Sequence, residues 1–204
     1  MKDLKDHWDQ IFELSEDEKL GWFEKDFSQT KRFLEKIPNW DRSSIFVPGV
    51  GTSGLIGLLQ KTNAKLILND LSSKAIENAK YKYSNIEDRI HWICQDISTE
   101  LPVEPASVDV WLDRAVLHFL TENQSIEGYF ENVKKVVKTG GHVLFAEFSK
   151  SGAKKCAGLD VKRYDVKDLS YFLPDFSLIA SEDYNYLTPK GDNRLYIYAL
   201  FKRG

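Results

Sequence analysis

The sequence predicts an α/β fold: a mostly parallel sheet of seven strands, helices on both faces, and an antiparallel hairpin at its C-terminal edge. Three observations predict it. From Ser44 onward, short apolar runs alternate with helical segments across short turns. A glycine-rich turn, Gly49-Val50-Gly51-Thr52-Ser53-Gly54, joins the first strand of that alternation to its first helix. Near the C-terminus the rhythm breaks into two strand-like runs with no long helix between them.

The elements follow in order. Residues 1–43 carry helical spacing (Trp8, Ile11, Phe12, then Phe33, Leu34, Ile37) and an aromatic break at Trp22-Phe23, and they end at Pro38 and the turn after it. This stretch reads as a helical prelude. Ile45-Phe46-Val47 is a buried strand, and Leu55, Ile56, Leu58 and Leu59 mark the helix after the glycine turn. Leu66-Ile67-Leu68 is a second strand that ends at Asn69-Asp70, and Ser72 caps a helix with its apolar stripe at Ala75, Ile76, Ala79 and Tyr83. Residues 90–94 and 108–112 are the third and fourth strands. The clearest helical period runs over 126–138, with Gly140-Gly141 ending it and 143–148 as the fifth strand. Phe176–Ile179 and Leu195–Phe201 form the hairpin, with turn chemistry at Thr188-Pro189-Lys190-Gly191-Asp192-Asn193.

Composition narrows the class. The 204 residues are 42% hydrophobic and 29% charged, enough for one substantial core, and no repeat or linker divides them. We read one domain over 1–204: the prelude at 1–43, a cofactor-binding core at 44–150, and a hairpin with acceptor-side elements at 151–204. The net charge of -3 gives no reason to expect nucleic acid or an anionic membrane as a partner. No apolar run approaches the roughly 18 residues of a membrane span. The stretch MKDLKDHWDQ lacks the apolar core of a secretory signal. Two cysteines, Cys94 and Cys156, make no disulfide framework, so a reducing cytoplasm is the expected compartment.

The chemistry concentrates at strand ends. Glycines in the 49–54 turn let the backbone approach a ligand, and free amides there attract an anion. Asp70 follows 21 residues after Gly49, where a carboxylate can accept from both hydroxyls of a ribose. The bland alternative is an unliganded tight turn with a helix-capping Asp. Asp96 and Asp113 end the third and fourth strands. Three acids at three successive strand ends suit a cationic adenosine cofactor such as S-adenosylmethionine better than a pyrophosphate. The literal glycine spacing keeps a nicotinamide-linked oxidoreductase as the competing class, and a non-catalytic cofactor-binding subunit as a third. His91 and Cys94, three apart on a strand, point to opposite faces, and no metal site is expected.

The runs IFVPGVGTSGL (45–55), LILNDLS (66–72), ICQDI (93–97), DVWLDRAVLHFL (109–120) and TGGHVLFAEF (139–148) resemble the ordered motifs of class I S-adenosylmethionine-dependent methyltransferases. The prelude HWDQIF…LGWFEKD and KCAGLDVKRYDV (155–166) are similar to a subgroup of small bacterial methyltransferases, with weaker likeness to lysine, thiopurine and thiol methyltransferases. The resemblance implies a Rossmann-like sheet. It also implies that S-adenosylmethionine binds and leaves as S-adenosylhomocysteine. Gly49, Gly51 and Thr52 would line its methionine end, Asp70 the ribose and Leu71 the adenine. Asp96 and the Ile97 backbone would meet the adenine edge, Asp113 would lie by the departing methyl, and Trp22 would serve as a lid or as plain core. Many family members carry an acid where Val47 stands, so the methionine ammonium must find its partner elsewhere.

A general base is needed only where the acceptor arrives protonated. Asp113, His118 and Glu147 are the candidates, with His118 equally readable as a packing or capping residue. If 114–120 is helical, Arg114 and His118 share a face. Arg114 is then a substrate contact or the partner of a nearby carboxylate. Arg163 and Tyr164 are placed for an anionic or aromatic acceptor, or form a solvated turn. The expected acceptor is a small molecule, with a protein lysine next. Cys156 alone is weak grounds for a nucleophile.

Overall fold

The structure, a computed structural model, describes residues 4–20, 22–188 and 191–204. Its chain begins with helix α1 (Leu4–Leu14) and helix α2 (Ser28–Leu34). Then come β1 (Ser44–Val47), α3 (Leu55–Leu59), β2 (Lys65–Asp70), α4 (Ser73–Lys82) and β3 (Ile90–Cys94). The second half holds β4 (Val108–Arg114), α5 (Asn123–Val136), β5 (Val137–Phe148), a small hairpin of β6 (Lys155–Cys156) and β7 (Leu159–Asp160), and α6 (Val166–Phe172). It closes with β8 (Phe176–Leu187) and β9 (Asn193–Arg203).

Seven strands form one sheet in the order β3-β2-β1-β4-β5-β9-β8. The first five run parallel, and β9 inserts antiparallel between β5 and β8. The expected seven-stranded, Rossmann-like sheet with its terminal hairpin is therefore the one observed. The chain moves outward from β1 through β2 to β3, then returns to β1's other side as β4. That reversal leaves a crevice at the carboxyl ends of β1 and β4, where ligands bind in open α/β sheets.

Alternation along the strands sorts side chains into two layers. Val110, Leu112, Leu144 and Ala146 join the layer of α2, α3 and α4, packed with Phe33, Leu34, Leu55, Ile56 and Ile76. Trp111, Val143 and Phe145 join that of α5 and α6, with Tyr129, Phe130, Val133 and Leu169. Trp111 is fully buried, stacks on Phe46 with ring centroids 4.3 Å apart, and donates from Nε1 to Tyr129 Oη at 2.8 Å.

Several boundaries differ from the sequence reading. The clearest helix ends at Val136, and Gly140-Gly141 lies inside β5, because β5 pairs with β4 from Val137 onward. β8 is twelve residues long, since its pairing with β9 continues from Phe176 to Leu187. Of the expected hairpin turn, Pro189 and Lys190 lie outside the described residues, as does Gly21 of the prelude motif. The flanks close as turn chemistry requires: Thr188 N donates to Asp192 O at 2.9 Å, and Asp192 N donates to Thr188 Oγ1 at 3.1 Å. The segment 114–120 is no helix. Arg114 ends β4, Ala115 takes a left-handed φ of 67°, and a single 3₁₀ turn spans Leu117–Phe119.

Candidate functional site

The cavity at the switch point is built from four strand ends. Gly49, Val50 and Gly51 follow β1, Asp70 and Leu71 end β2, Asp96 and Ile97 follow β3, and Arg114, Ala115 and Val116 end β4. Gly49 and Gly51 hold φ of 47° and 53°, which favours glycine. A Cβ on Gly49 would stand 2.5 Å from Val116 Cγ2, and one on Gly51 would stand 3.0 Å from Phe12 Cζ. The turn is thus packed against β4's end on one side and against α1 on the other.

Asp70 is buried and organises the turn. Its Oδ2 accepts from Gly51 N and its Oδ1 from Ser72 N, both at 2.8 Å. Burial pushes its carboxyl up to about 6, against the pull of backbone amides at Ser72, Gly51 and Leu71. Val50 N donates to Asn69 O at 2.9 Å. Two of the turn amides that the sequence left free for an anion are therefore engaged by β2. Asp96 Oδ1 accepts from Ser98 N and Ser98 Oγ, both at 2.8 Å, and the residue lines the cavity.

The N-terminal segment closes the mouth. Trp8, Phe12 and Trp22 line the cavity with Phe119, and the Trp8 ring lies edge-on to Trp22 at 5.6 Å and to Phe119 at 4.9 Å. Polar ties fasten this lid. Asp9 accepts from Ser72 Oγ at 2.5 Å and from Lys74 N at 3.1 Å, Asn78 Nδ2 donates to Phe12 O at 3.0 Å, and Asp17 takes Lys82 at 2.9 Å. Arg114 Nε lies 2.5 Å from Glu24 Oε2, both side chains almost fully buried. The Arg114 guanidinium also faces the rings of Phe27, Tyr186 and Tyr196 at 5.6 to 5.9 Å. Burial raises the Glu24 carboxyl, and Arg114 pulls it back down.

Beneath the cavity, on the α5 side, lies a second polar network. Asp113 is fully buried and its carboxylate accepts from Val116 N, Leu117 N (both 3.1 Å) and Tyr129 Oη (2.6 Å). Glu147 accepts from the amides of Val116, Leu117 and His118 at 3.2 to 3.3 Å and pairs with His118 Nδ1 at 2.7 Å. Burial first, then the Glu147 charge, pushes Asp113 well above the usual carboxylate range, and burial lifts Glu147 to about 7. Both carboxyls are thereby pushed toward their protonated forms.

These positions redraw the expected site. Gly49, Gly51, Asp70, Leu71, Asp96, Ile97, Trp22 and Arg114 all face the cavity. Thr52 does not: its hydroxyl donates to Asp17, because the turn presents Ser53 inward. Asp113 faces the α5 layer, since it shares strand parity with Trp111, and it clamps the 116–118 turn rather than the ligand space. His118 is fully buried beside Glu147 and shares no helical face with Arg114, because Ala115 reverses the chain between them. Arg163 Nη1 donates to Lys150 O at 2.6 Å, and Tyr164 is buried in the α5–α6 layer, so neither lines the cavity. Sequence reading missed Phe12, Glu24 and Phe119. Helical spacing marked Phe12 only as core, and nothing local to Glu24 announces a partner 90 residues away.

Residues 47–145 match the family model of a methyltransferase domain. Comparison with curated protein sequences found no match. Among solved structures, a SAM-dependent methyltransferase from Anabaena variabilis superposes with a TM-score of 0.76 at 12% identity, covering 98% of this chain and 93% of its own. Geranyl diphosphate C-methyltransferase from Streptomyces coelicolor, in complex with S-adenosyl-L-homocysteine, gives 0.69 at 10%, covering 87% and 76%. The Burkholderia thailandensis 1,6-didemethyltoxoflavin-N1-methyltransferase, with bound 1,6-didemethyltoxoflavin and S-adenosylhomocysteine, gives 0.65 at 14%, covering 87% and 79%. Residues 47–145 are thus similar to a methyltransferase domain, and the chain has the fold seen in S-adenosylmethionine-dependent methyltransferases. Among the described residues, no helix is long and apolar enough to cross a membrane, and no cluster of three or more His, Cys, Asp and Glu is arranged to hold a metal ion.

Proposed function

We propose that this protein transfers a methyl group from S-adenosylmethionine to a small-molecule acceptor that enters the cavity beside Arg114 and Cys156. One observation carries the reading: a switch-point cavity whose lining acids are Asp70 and Asp96, with aromatic rings closing its mouth. The residues fit such a cofactor. Asp70 keeps lone pairs beyond those taken by Gly51 and Ser72 and would accept from the ribose hydroxyls. Asp96 would accept from the adenine amino group, between the apolar surfaces of Leu71 and Ile97. Glycine at 51 leaves the space that a side chain would contest with Phe12.

When bound, the cofactor supplies a methyl carbon already activated by a sulfonium leaving group. The protein's part is to align and to dry. Holding reactants in line is worth roughly 7–11 kcal/mol of barrier in well-oriented systems. Trp8, Phe12, Trp22 and Phe119 exclude water from that space. With Asp113 and His118 withdrawn behind the wall, their part in the reaction would be to hold the 116–118 turn in place. Support for a small acceptor comes from the aromatic rings that narrow the mouth and from two neighbours of the same fold that bind small molecules.

Calorimetric titration with S-adenosylmethionine, S-adenosylhomocysteine and NAD in parallel tests the cofactor. Binding of the first two with NAD silent is expected; NAD alone would overturn the reading. Methyl-labelled cofactor given with cell extract tests the acceptor. Label in the low-mass fraction is expected, and label in protein lysine would replace the small molecule with a protein acceptor.

A further inference from the structure

Behind the far wall of the cavity lies a constellation that the cofactor reading does not use. Cys156 ends β6, is 4% exposed, and lines the cavity. Its sulfur accepts from Arg194 Nη1 at 3.3 Å, and His118 lies near enough to pull the same thiol toward its ionised form. Glu147 holds His118 by Nδ1, so Nε2 is the nitrogen that points away from the carboxylate. That Nε2 is buried and has no hydrogen-bond partner, and the nearby Tyr196 hydroxyl is buried and equally unpartnered. The order is carboxylate, imidazole, thiol, with a guanidinium at the sulfur. This is the arrangement that activates a nucleophile: the carboxylate orients the ring, the ring takes the proton, and the cation steadies the anion.

We propose that Cys156 is an activated nucleophile facing the cavity, and a covalent modification site for soft carbon electrophiles small enough to enter it. In the step, the Sγ–C bond forms as the bond from carbon to its leaving group breaks. The leaving group departs with that electron pair, and the thiol proton passes to His118 Nε2. The proposal stands on the cluster itself and does not rest on the cofactor reading.

The chain contains its own control. Burial works against a thiolate at Cys156, yet the influence of His118 and of Arg194 more than offsets it and holds the thiol below its ordinary range. Cys94, on the exposed edge of β3, is pushed the other way, first by partial burial and then by the charges of Asp70 and Asp9. Solvent access favours Cys94; activation favours Cys156.

The experiment is iodoacetamide labelling of the full native chain near pH 7, with each cysteine followed by peptide mass spectrometry. Cys156 should label about tenfold faster than Cys94 despite its burial. Arg194→Gln should remove most of that advantage and leave the Cys94 rate unchanged. Arg194 is half-buried on β9, so this variant spares the core should His118→Asn fail to fold. Labelling of Cys94 as fast as or faster than Cys156, or a Cys156 rate unchanged in Arg194→Gln, overturns the proposal.

Discussion

Glu24 and Arg114 form a buried ion pair, 2.5 Å between Oε2 and Nε, that joins the N-terminal segment to the end of β4. The pair crosses the boundary between lid and sheet, so its energy is felt by both. Breaking one side of such a pair leaves an uncompensated buried charge.

Arg114→Met should therefore destabilise the protein by about 3–5 kcal/mol, and Glu24→Leu should cost a similar amount. The double variant should be less destabilised than the sum of the two, because neither charge is then stranded. Urea unfolding of the three variants measures this. Additive losses would show that the pair is not coupled.

Cofactor affinity should follow the state of Asp70. Burial raises its carboxyl to about 6, and the ionised form is the better acceptor for two hydroxyls. Binding of S-adenosylmethionine should tighten as pH rises from 5 through 6 and level off above 7. Asp70→Asn should abolish that dependence and weaken binding about 10- to 150-fold, the equivalent of roughly 1.5–3 kcal/mol. Calorimetry at three pH values decides it, and an unaltered affinity in the variant would remove Asp70 from the ribose.

Stability should also respond to the Asp113–Glu147 pair, and the sign is set by raised carboxyls. An unfolded Glu ionises near its ordinary 4.5, whereas folded Glu147 holds its proton until about 7. Between those values the native state binds the extra proton, so this group's contribution favours folding at low pH and is lost as pH rises from about 4.5 to 7. Asp113 acts in the same direction. Glu147→Gln should flatten the slope of thermal midpoint against pH across that window. A slope equal to wild type would deny Glu147 its raised value.

Gly49→Ala should disturb two elements at once. The new methyl meets Val116 Cγ2 at 2.5 Å in a left-handed backbone at φ 47°. A loss of about 1–3 kcal/mol is expected from overpacking, with strain added. Shortening the opposing side chain in Gly49→Ala/Val116→Ala should recover part of it, as read by thermal melting.

Much of this architecture was legible because periodicity and strand-end chemistry are local. The strand from 45 to 47, the glycine turn, Asp70 and the Ser72 cap are each set by a few neighbouring residues. What misled was reading every strand-end acid as facing the ligand. Alternation already set Asp113 on the side of Trp111 and Arg114 on the side of Leu112, and the fourth strand's reading simply stopped too early to use it. A helix over 114–120 is only conditional in the sequence; the left-handed turn at Ala115 is followed by amides that donate both to Asp113 and to Glu147, 31 residues beyond Val116. Glu24, Phe12 and Arg194 owe their positions to tertiary packing alone, for which spacing has no signature.

The hairpin at the end of the chain has a consequence for synthesis. Tyr186 on β8 donates to Phe23 O, Glu182 pairs with Arg32, and Thr30 shares a hydrogen bond with Tyr198 on β9 at 3.0 Å. The rings of Tyr186 and Tyr196 also wall in Arg114. A nascent chain that has emerged only through β5 already has the glycine turn, Asp70 and the Arg114 partner of Glu24, but it lacks the ties that Tyr186, Glu182 and Tyr198 give to Phe23, Arg32 and Thr30. Translation must release β8 and β9 before these ties can form, so a ribosome-bound intermediate should hold residues 23–32 less firmly until the final strand pairs.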